Sequence, residues 1–386
     1  MKQTLTKALM SLAVVSALVG CAGEEDAIVM APLPLVENQF ETQTEWRASV
    51  GDGVEHYFSR LAPLYAYDKV FVASRDGVIK ALSPDQGDRV WKVELDDDDD
   101  ARLSGGLSAA YGKLYVGTEN GQVYALNEET GDTQWRVQIG GEILSKPLAD
   151  NNLIMINTSQ GELVALNPDN GEQVWSITVD EPNLSLRGDS SPAAVSGGVF
   201  WGTANGRLAA AISERGQLLW QQSIGSPQGS TEIDRLVDVD SSPVIIGSDL
   251  YIVGINGNLT SIDLRSGKPR WKRRYSSAID MATDGSDLFL VTDKDHLVAV
   301  DARSGTELWQ NKQLQYRLLT APKLIDGYLV VGDAEGYLHW LDPDTGDFVA
   351  QQEIDDSGFA VGPVSVDDGY VIMTRDGDIK KLKIRR

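Results

Sequence analysis

The sequence is poor in the residues that carry covalent and metal chemistry. Its 386 residues include one cysteine, Cys21, and only three histidines. A single cysteine excludes an intrachain disulfide, a Cys-x-x-Cys redox pair and a multi-cysteine zinc site. Apolar runs are also short, and none is long enough to span roughly 30 Å of hydrocarbon as a helix. These absences exclude several classes of redox, zinc and membrane-spanning protein.

Positive charge is scarce as well. Lysine and arginine total 34 against 57 aspartates and glutamates, which gives a net charge of −23. Such an excess of negative charge repels phosphate backbones and anionic lipid headgroups. We therefore expect no nucleic-acid partner and no electrostatic docking of the body on a membrane, and we expect the partner to be a protein.

The N-terminus reads as an export signal. Lys2 and Lys7 precede the apolar run 8–19, which has the length of a signal-peptide core. The run ends in Leu-Val-Gly before Cys21, and this resembles the lipobox of bacterial lipoproteins. The resemblance implies cleavage after residue 20 and lipidation of Cys21. The alternative is an ordinary signal peptide that leaves a free thiol.

The lipobox resemblance also implies a location. Residue 22 is alanine rather than the aspartate that retains such lipoproteins in the inner membrane of Gram-negative cells. We therefore expect an anchor at the periplasmic face of the outer membrane, with contact to the membrane through the lipid alone. Residues 21–40, with Pro32 and Pro34, are interpreted as a flexible tether. Removal of residues 1–20 removes two lysines and no acid, so the mature net charge is −25.

Glycine, in contrast, is abundant, and much of it recurs in one motif. The chain has 38 glycines. Six copies of Gly-x-x-x-Trp follow one another at similar spacing, at Gly87–Trp91, Gly131–Trp135, Gly171–Trp175, Gly216–Trp220, Gly267–Trp271 and Gly305–Trp309. Two further positions are degenerate, because Ala350 follows Gly346 where tryptophan is expected and Thr42 precedes Trp46 where glycine is expected. The eight positions are spaced by 38 to 51 residues, about 43 on average, which is a propeller-blade period.

Within each period the pattern is that of short strands joined by tight turns. Lys113–Thr118 and Gln122–Leu126 alternate apolar residues around an Asn120-Gly121 turn, and a similar glycine turn recurs in the other periods, with Asp293-Lys-Asp295 as the one exception. The tryptophan marks the start of the fourth strand, so Trp46 opens the chain with a fourth strand and the C-terminal segment supplies three. We therefore predict an all-β fold, an eight-bladed propeller over residues 41–386 with four antiparallel strands per blade, closed by pairing of the two ends.

The blades carry no recognisable catalytic motif. Their repeat is similar to that of quinoprotein dehydrogenases, which makes a quinone-dependent dehydrogenase the enzymatic alternative. The family's vicinal cysteines and large cofactor-burying insertions are missing, so we expect no cofactor, no metal and no catalysis. Gly-x-Ser-x-Gly and a phosphate-binding loop are also absent. His296 and His339 are interpreted as structural or solvated, and the acidic run Asp96–Asp100 as a solvated loop of unassigned role.

Departures from the period mark the candidate site. The longest interval, Trp220 to Trp271, contains a loop with Asp238 and Asp240, and the preceding blade junction contains Leu184, Leu186 and Arg187. Both loops flank one blade on the same face. Two leucines beside charged residues have the composition of a protein-binding hot spot. The alternative, which spacing leaves open, is that the leucines pack between blades and Arg187 pairs with Asp238.

The loop sequences resemble those of one family in particular. The segments 30–40, 182–188, 229–240 and 331–337 are similar to the BamB family, the propeller lipoproteins of the outer-membrane β-barrel assembly machinery. The resemblance covers the whole mature chain. It implies a non-enzymatic scaffold that binds the periplasmic POTRA domains of BamA and assists unfolded outer-membrane proteins. The positions that match the BamA contacts are Leu184, Leu186, Arg187, Asp238 and Asp240. The non-enzymatic alternative is an envelope lipoprotein that binds carbohydrate or another protein.

Overall fold

The chain folds into strands and turns. The computed structural model describes residues 28–95 and 101–385, and in these ranges it contains no helix. None of the described residues therefore forms a helix that could cross a membrane. Residues 1–20, Cys21 and Asp96–Asp100 lie outside the described residues.

The described strands group into eight sheets of four. The first strand in the chain is β1 (Glu41–Ser49). Blades 1 to 4 then contain β2 (Leu64–Ala66), β3 (Lys69–Ala73), β4 (Val78–Leu82) and β5 (Arg89–Glu94); β6 (Ser108–Ala110), β7 (Lys113–Gly117), β8 (Gln122–Asn127) and β9 (Thr133–Gln138); β10 (Leu148–Asp150), β11 (Leu153–Thr158), β12 (Glu162–Leu166) and β13 (Gln173–Thr178); and β14 (Ala193–Val195), β15 (Gly198–Thr203), β16 (Arg207–Ile212) and β17 (Gln217–Ser223). Blades 5 to 8 contain β18 (Val244–Ile246), β19 (Asp249–Ile252), β20 (Leu259–Asp263) and β21 (Pro269–Arg273); β22 (Ala282–Thr283), β23 (Asp287–Val291), β24 (Leu297–Asp301) and β25 (Glu307–Asn311); β26 (Lys323–Ile325), β27 (Tyr328–Gly332), β28 (Tyr337–Leu341) and β29 (Phe348–Glu353); and β30 (Val364–Val366), β31 (Gly369–Met373) and β32 (Asp378–Arg385).

The last blade is shared by the two ends of the chain. Its strand order is β1-β32-β31-β30, and β1 pairs with β32 from Glu41 opposite Arg385 to Ser49 opposite Asp378. In every other blade four consecutive strands pair antiparallel in chain order. First strands of adjacent blades approach one another and line the centre of the ring. The predicted eight-bladed propeller and its closure by the two ends are confirmed.

The repeated tryptophans pack between blades, as predicted, and the structure shows why glycine accompanies them. Trp91 is 8% exposed, and its Nε1 donates to the carbonyl of Glu128 in the next blade at 3.0 Å. A Cβ added to Gly131, which has φ +80°, would lie 2.7 Å from the Trp91 ring. Each tryptophan therefore lies on the motif glycine of the following blade. The pairs are Trp46–Gly87, Trp91–Gly131, Trp135–Gly171, Trp175–Gly216, Trp220–Gly267, Trp271–Gly305 and Trp309–Gly346.

This contact rule also accounts for the two degenerate positions. Around the ring, Ala350 of blade 7 meets Thr42 of blade 8, and both line a cavity of about 220 Å³. A tryptophan ring can pack only on a residue that has no Cβ, and Thr42 has one. Glycine and tryptophan are therefore both replaced at this junction, by Thr42 and Ala350. Phe40, 5% exposed, packs beside this junction with its ring edge-on to Trp340 at 5.4 Å.

Part of the segment assigned to the tether packs on blade 7. The N–H of Ala31 donates to the carbonyl of Gln315, and the N–H of Gln39 donates to the carbonyl of Val349, both at 2.9 Å. Asn38 exchanges two hydrogen bonds with the backbone of Gln351. Residues 31–40 thus run along the outside of the blade. The boundary between tether and propeller at residue 40 stays a prediction.

Candidate partner-binding face

The two loops singled out in the sequence lie on one face of the ring. Antiparallel strands alternate in direction, so the loops that join blades emerge on the same side as the turns between second and third strands. We call this side the connecting face. Residues 179–192 join β13 to β14, and residues 224–243 join β17 to β18. Both loops therefore flank blade 4.

The first loop presents an exposed leucine on a fixed support. Leu184 is 48% exposed, whereas Leu186 is half-buried. Arg187 forms ion pairs with Glu119 at 3.0 Å and with Glu142 at 3.2 Å. The guanidinium therefore pairs inside the chain, but with carboxylates of blades 2 and 3 rather than with Asp238. The sequence left open an alternative in which both leucines pack between blades and Arg187 pairs with Asp238. In the structure Leu184 is exposed, and Arg187 pairs with Glu119 and Glu142 instead.

Glu119 is the central acceptor of this network. Arg75 approaches the same carboxylate from blade 1, at 2.8 Å. Burial opposes ionisation of Glu119, but hydrogen bonds from Arg75 and Arg187 outweigh it and lower the pKa of the carboxyl. The loop is thus attached by a charged network that spans blades 1 to 3, and this network restricts where Leu184 is displayed.

The two aspartates lie beneath the loop rather than around it. Asp238 is 1% exposed and Asp240 is 5% exposed. Asp238 Oδ1 accepts a hydrogen bond from the Leu186 N–H at 2.8 Å. The Asp240 carboxylate packs against Gly188, where an added Cβ would lie 2.8 Å from Oδ2. In the geometry observed, both aspartates support the backbone of the first loop.

The structure adds Asp189 and Arg60, two residues that the sequence reasoning missed. Asp189 and Asp240 each stand four residues before the innermost strand of their blade, where blades 3, 7 and 8 have Leu144, Leu319 and Ala360. Alignment of the repeats at this position was the signal that would have found Asp189. Arg60 of blade 1 donates to the Asp240 carbonyl of blade 5 at 2.7 Å, so its side chain crosses the centre of the ring. Its other amino group bonds Asp280 at 2.9 Å.

Burial sets the protonation of these carboxyl groups. It raises the pKa of Asp240 to about 7, with the charge of Asp238 acting in the same direction and Arg60 opposing it. Burial also raises the pKa of Asp189 well above its usual value, with the charge of Asp240 adding to it. The second oxygens of Asp189 and Asp238 have no hydrogen-bond partner within the described ranges. The cluster therefore binds protons more readily than free aspartate does.

This cluster makes stability depend on pH. A carboxyl whose pKa is raised by folding favours the folded state only while it is protonated, so stability is lost as the pH rises from about 4 to about 7. We expect Asp240→Asn, which keeps the shape, to raise the thermal midpoint at pH 8 relative to the wild type and to flatten its pH dependence. Scanning calorimetry at pH 5 and pH 8 measures this. Asn at the exposed Asp344 is the control, and equal effects of both variants would contradict the assignment.

A second exposed apolar residue stands on the other loop. Ile233 is 73% exposed and lines a cavity of about 720 Å³ between blades 5 and 6. Its turn is held by reciprocal hydrogen bonds between Thr231 and Asp234, and Asn256 donates to the carbonyl of Asp234. An isoleucine in a loop gave no signal in the sequence. Leu184 and Ile233 thus lie on loops at either side of blade 4.

The described residues contain no cluster of three or more His, Cys, Asp or Glu side chains able to hold a metal ion. His296 Nε2 lies 3.1 Å from the Gln315 amide oxygen. His339 is fully buried, with Nε2 2.9 Å from Asp333 Oδ2. The connecting face thus carries exposed apolar groups, Leu184 and Ile233, on loops held by hydrogen bonds and ion pairs.

Comparison with known proteins is consistent over the whole chain. A family model described as "Outer membrane protein assembly factor BamB" matches residues 75–311 and 293–384. A protein of that name from Vibrio cholerae is 64% identical over 386 residues, which is 100% of both chains. The crystal structure of BamB from Moraxella catarrhalis superposes with a TM-score of 0.79 at 25% identity, covering 89% of this chain and 100% of that one. A quinohemoprotein alcohol dehydrogenase from Pseudomonas putida has a TM-score of 0.71 at 13% identity, over 91% of this chain and 78% of its own, and this likeness shows the fold alone.

Proposed function

This chain belongs to the BamB family of outer membrane protein assembly factors, and on that premise we propose that it acts as a non-enzymatic scaffold in the assembly of outer-membrane proteins. Its partner is BamA, bound through the periplasmic POTRA domains. The observation that carries the proposal is the fixed loop that displays Leu184 on the connecting face. A loop that is ordered before binding loses less conformational entropy when a partner docks.

We assign different roles to the five candidate residues. Leu184 supplies the apolar anchor, and half-buried Leu186 extends it. Arg187 retains a side chain that is 39% exposed, so it can meet a carboxylate of the partner while it stays paired to Glu119. Asp238 and Asp240 are buried and act as positioning residues through the loop backbone. An apolar centre with charged surroundings is the usual anatomy of a protein-binding hot spot.

We further propose that lipidated Cys21 holds the protein at the periplasmic face of the outer membrane. Cys21 lies outside the described residues, and the support for the anchor is the sequence around it. Several acyl chains, at about 0.8 kcal/mol per buried methylene, bind a membrane far more firmly than a single chain does. The lipid then makes the membrane contact, and the protein partner is bound by the propeller.

The binding test compares the wild type with the double variant Leu184→Ala, Arg187→Ala. We expect the double variant to bind purified BamA POTRA domains about thirtyfold more weakly, because a hot-spot truncation costs about 2 kcal/mol or more. The dissociation constant, measured by isothermal calorimetry with the mature full-length chain, reports the change. Melting curves establish that the variant is folded.

The chain offers two matched controls for this test. Leu308, 49% exposed on β25, has the exposure of Leu184 but lies away from the connecting face, so Leu308→Ala should leave the affinity unchanged. Asp238→Asn keeps an oxygen that can accept from the Leu186 N–H, so the affinity should stay within about threefold of the wild type. A folded double variant with wild-type affinity would disprove the assignment of the loop.

A further inference from the structure

The rim of the ring exposes the outer edge of each blade's fourth strand. An unpaired edge invites addition of another strand, and proteins usually protect such edges with charged side chains. The outer strands of six blades follow this rule, since β1, β5, β9, β21, β25 and β29 each contain at least one charged residue. Only β13 and β17 among the eight described outer strands contain none. Blades 3 and 4 therefore carry the unprotected edges.

Of these two, β17 is the better suited to bind a strand. Its sequence is QLLWQQS. Its length of seven residues exceeds that of the outer strands in blades 1 to 3 and 5 to 7, which have five or six residues. Leu218 and Leu219 are 41% and 52% exposed, and Leu219 is the extra residue of a β-bulge, because Leu218 lies opposite Ala211 and Trp220 lies opposite Ala210. No strand in the described ranges pairs with the outer side of β17. The edge thus offers backbone groups beside two exposed apolar side chains.

The same chain shows that an outer edge can accept an extended segment. On blade 7, Gln39 donates its N–H to the carbonyl of Val349 in β29, at 2.9 Å. The side chain of Asn38 accepts from the N–H of Gln351 at 2.8 Å and donates to its carbonyl at 3.0 Å. The edge of blade 7 is therefore covered by the chain itself, although β29 ends in a charged Glu353. The longer edge of blade 4 has no charged residue of its own and no added strand in the described ranges, although Lys272 of blade 5 donates to the carbonyl of Ser223 at its end, at 2.8 Å.

We propose that the outer edge of β17 binds an extended segment of an unfolded outer-membrane β-barrel protein, which adds to blade 4 as a fifth strand. The proposal rests on the function proposed above, because it takes the client from that function. Main-chain hydrogen bonds would supply affinity without reading a particular sequence, as in other cases of strand addition. A scaffold that serves many clients requires this kind of recognition.

The chemistry of such clients fits this edge. Membrane β-barrel strands alternate apolar and polar residues, about ten per segment, with few charges on the lipid-facing side. The exposed side chains of Leu218 and Leu219 can pack on apolar client residues, while the glutamines of β17 meet polar ones. A lysine or glutamate in β17 would force the client to bury or avoid a charge, and neither residue is present there.

The test uses a purified outer-membrane β-barrel protein, unfolded in urea and diluted into the mature chain. Hydrogen exchange with mass spectrometry follows the peptides that contain β17 and β25. We expect exchange in β17 to slow in proportion to the client concentration, with no change in β25. Leu219→Lys should weaken the apparent affinity about tenfold, because an edge lysine disfavours pairing. Leu308→Lys, at the equivalent position before Trp309 and 49% exposed, should have no effect.

Two outcomes would overturn the proposal. One is equal slowing in all outer strands, and the other is protection confined to the loops 179–192 and 224–243. Binding of BamA POTRA domains by Leu219→Lys is measured in parallel and should equal the wild type. If POTRA binding holds while β17 shows no protection, the edge proposal fails alone. If POTRA binding is absent in the wild type, the proposed function itself fails.

Discussion

Replacing Trp91 by alanine is expected to lower the free energy of unfolding by about 3 to 5 kcal/mol. The ring is 8% exposed, lies on Gly131 of the next blade and donates to the Glu128 carbonyl at 3.0 Å. Truncation therefore opens a cavity between blades 1 and 2 and leaves a carbonyl without its donor. Urea unfolding followed by tryptophan fluorescence at neutral pH measures the loss.

The neighbouring residue gives the control for this prediction. Val90 is 51% exposed, so Val90→Ala should change stability by less than about 0.5 kcal/mol. Trp91→Ala should also retain wild-type affinity for BamA POTRA domains below its unfolding transition, because the candidate loops flank blade 4. A loss of affinity in the folded variant, or equal losses of stability at both positions, would show that the tryptophan does more than join blades.

The repeat made the fold predictable from sequence. Six regularly spaced Gly-x-x-x-Trp copies and two degenerate positions define the period, and the missing first three strands at the N-terminus match the three extra strands at the C-terminus. What the motif did not reveal is that its glycine and tryptophan serve different contacts. The glycine of one copy packs under the tryptophan of the previous copy. For Gly131 and Trp91, a Cβ added to the glycine would lie 2.7 Å from the tryptophan ring. This relation spans about 40 residues and is visible only after the blades are stacked.

The positions of the two candidate loops were predictable from the sequence, but their contacts were not. Departures from the period located both loops, since insertions in a repeat fold emerge where the blades join. The ion pairs of Arg187 with Glu119 and Glu142 join three different blades. Spacing along the chain cannot select among so many carboxylates in a protein with 57 acidic residues. The burial of Asp238 and Asp240 was likewise missed, because aspartate in a loop is ordinarily exposed.

The two proposals place partner and client on different surfaces. The POTRA domains are assigned to the connecting face, and the unfolded client to the rim at β17. Both surfaces adjoin blade 4, so a bound client would be held beside the partner rather than in competition with it. Simultaneous binding requires a rigid frame, and the closed ring supplies one because its two ends pair over eight positions between β1 and β32.

Replacing Arg317 by alanine is expected to destabilise the fold by about 3 to 5 kcal/mol, because it leaves a buried carboxylate without its partner. Arg317 is 2% exposed, its Nε donates to Asp333 at 2.7 Å, and a further amino group donates to the Ala31 carbonyl at 2.9 Å. Burial opposes ionisation of Asp333, but hydrogen bonds from His339, the Tyr337 N–H and Arg317 outweigh it and lower the pKa of the carboxyl. Urea unfolding measures the loss.

The pH dependence and a matched arginine separate this effect from a general loss of charge. A depressed carboxyl pKa stabilises the folded state above the unfolded value of about 3.9, and this contribution is lost as the pH falls. The deficit of Arg317→Ala should therefore be smaller near pH 3 than at pH 7. Arg270 also pairs with two carboxylates, Asp249 and Asp263, but it is 45% exposed and solvent screens the pairs, so Arg270→Ala should destabilise the fold much less than Arg317→Ala. Equal costs at the two arginines would mean that burial does not set the strength of the Arg317 network.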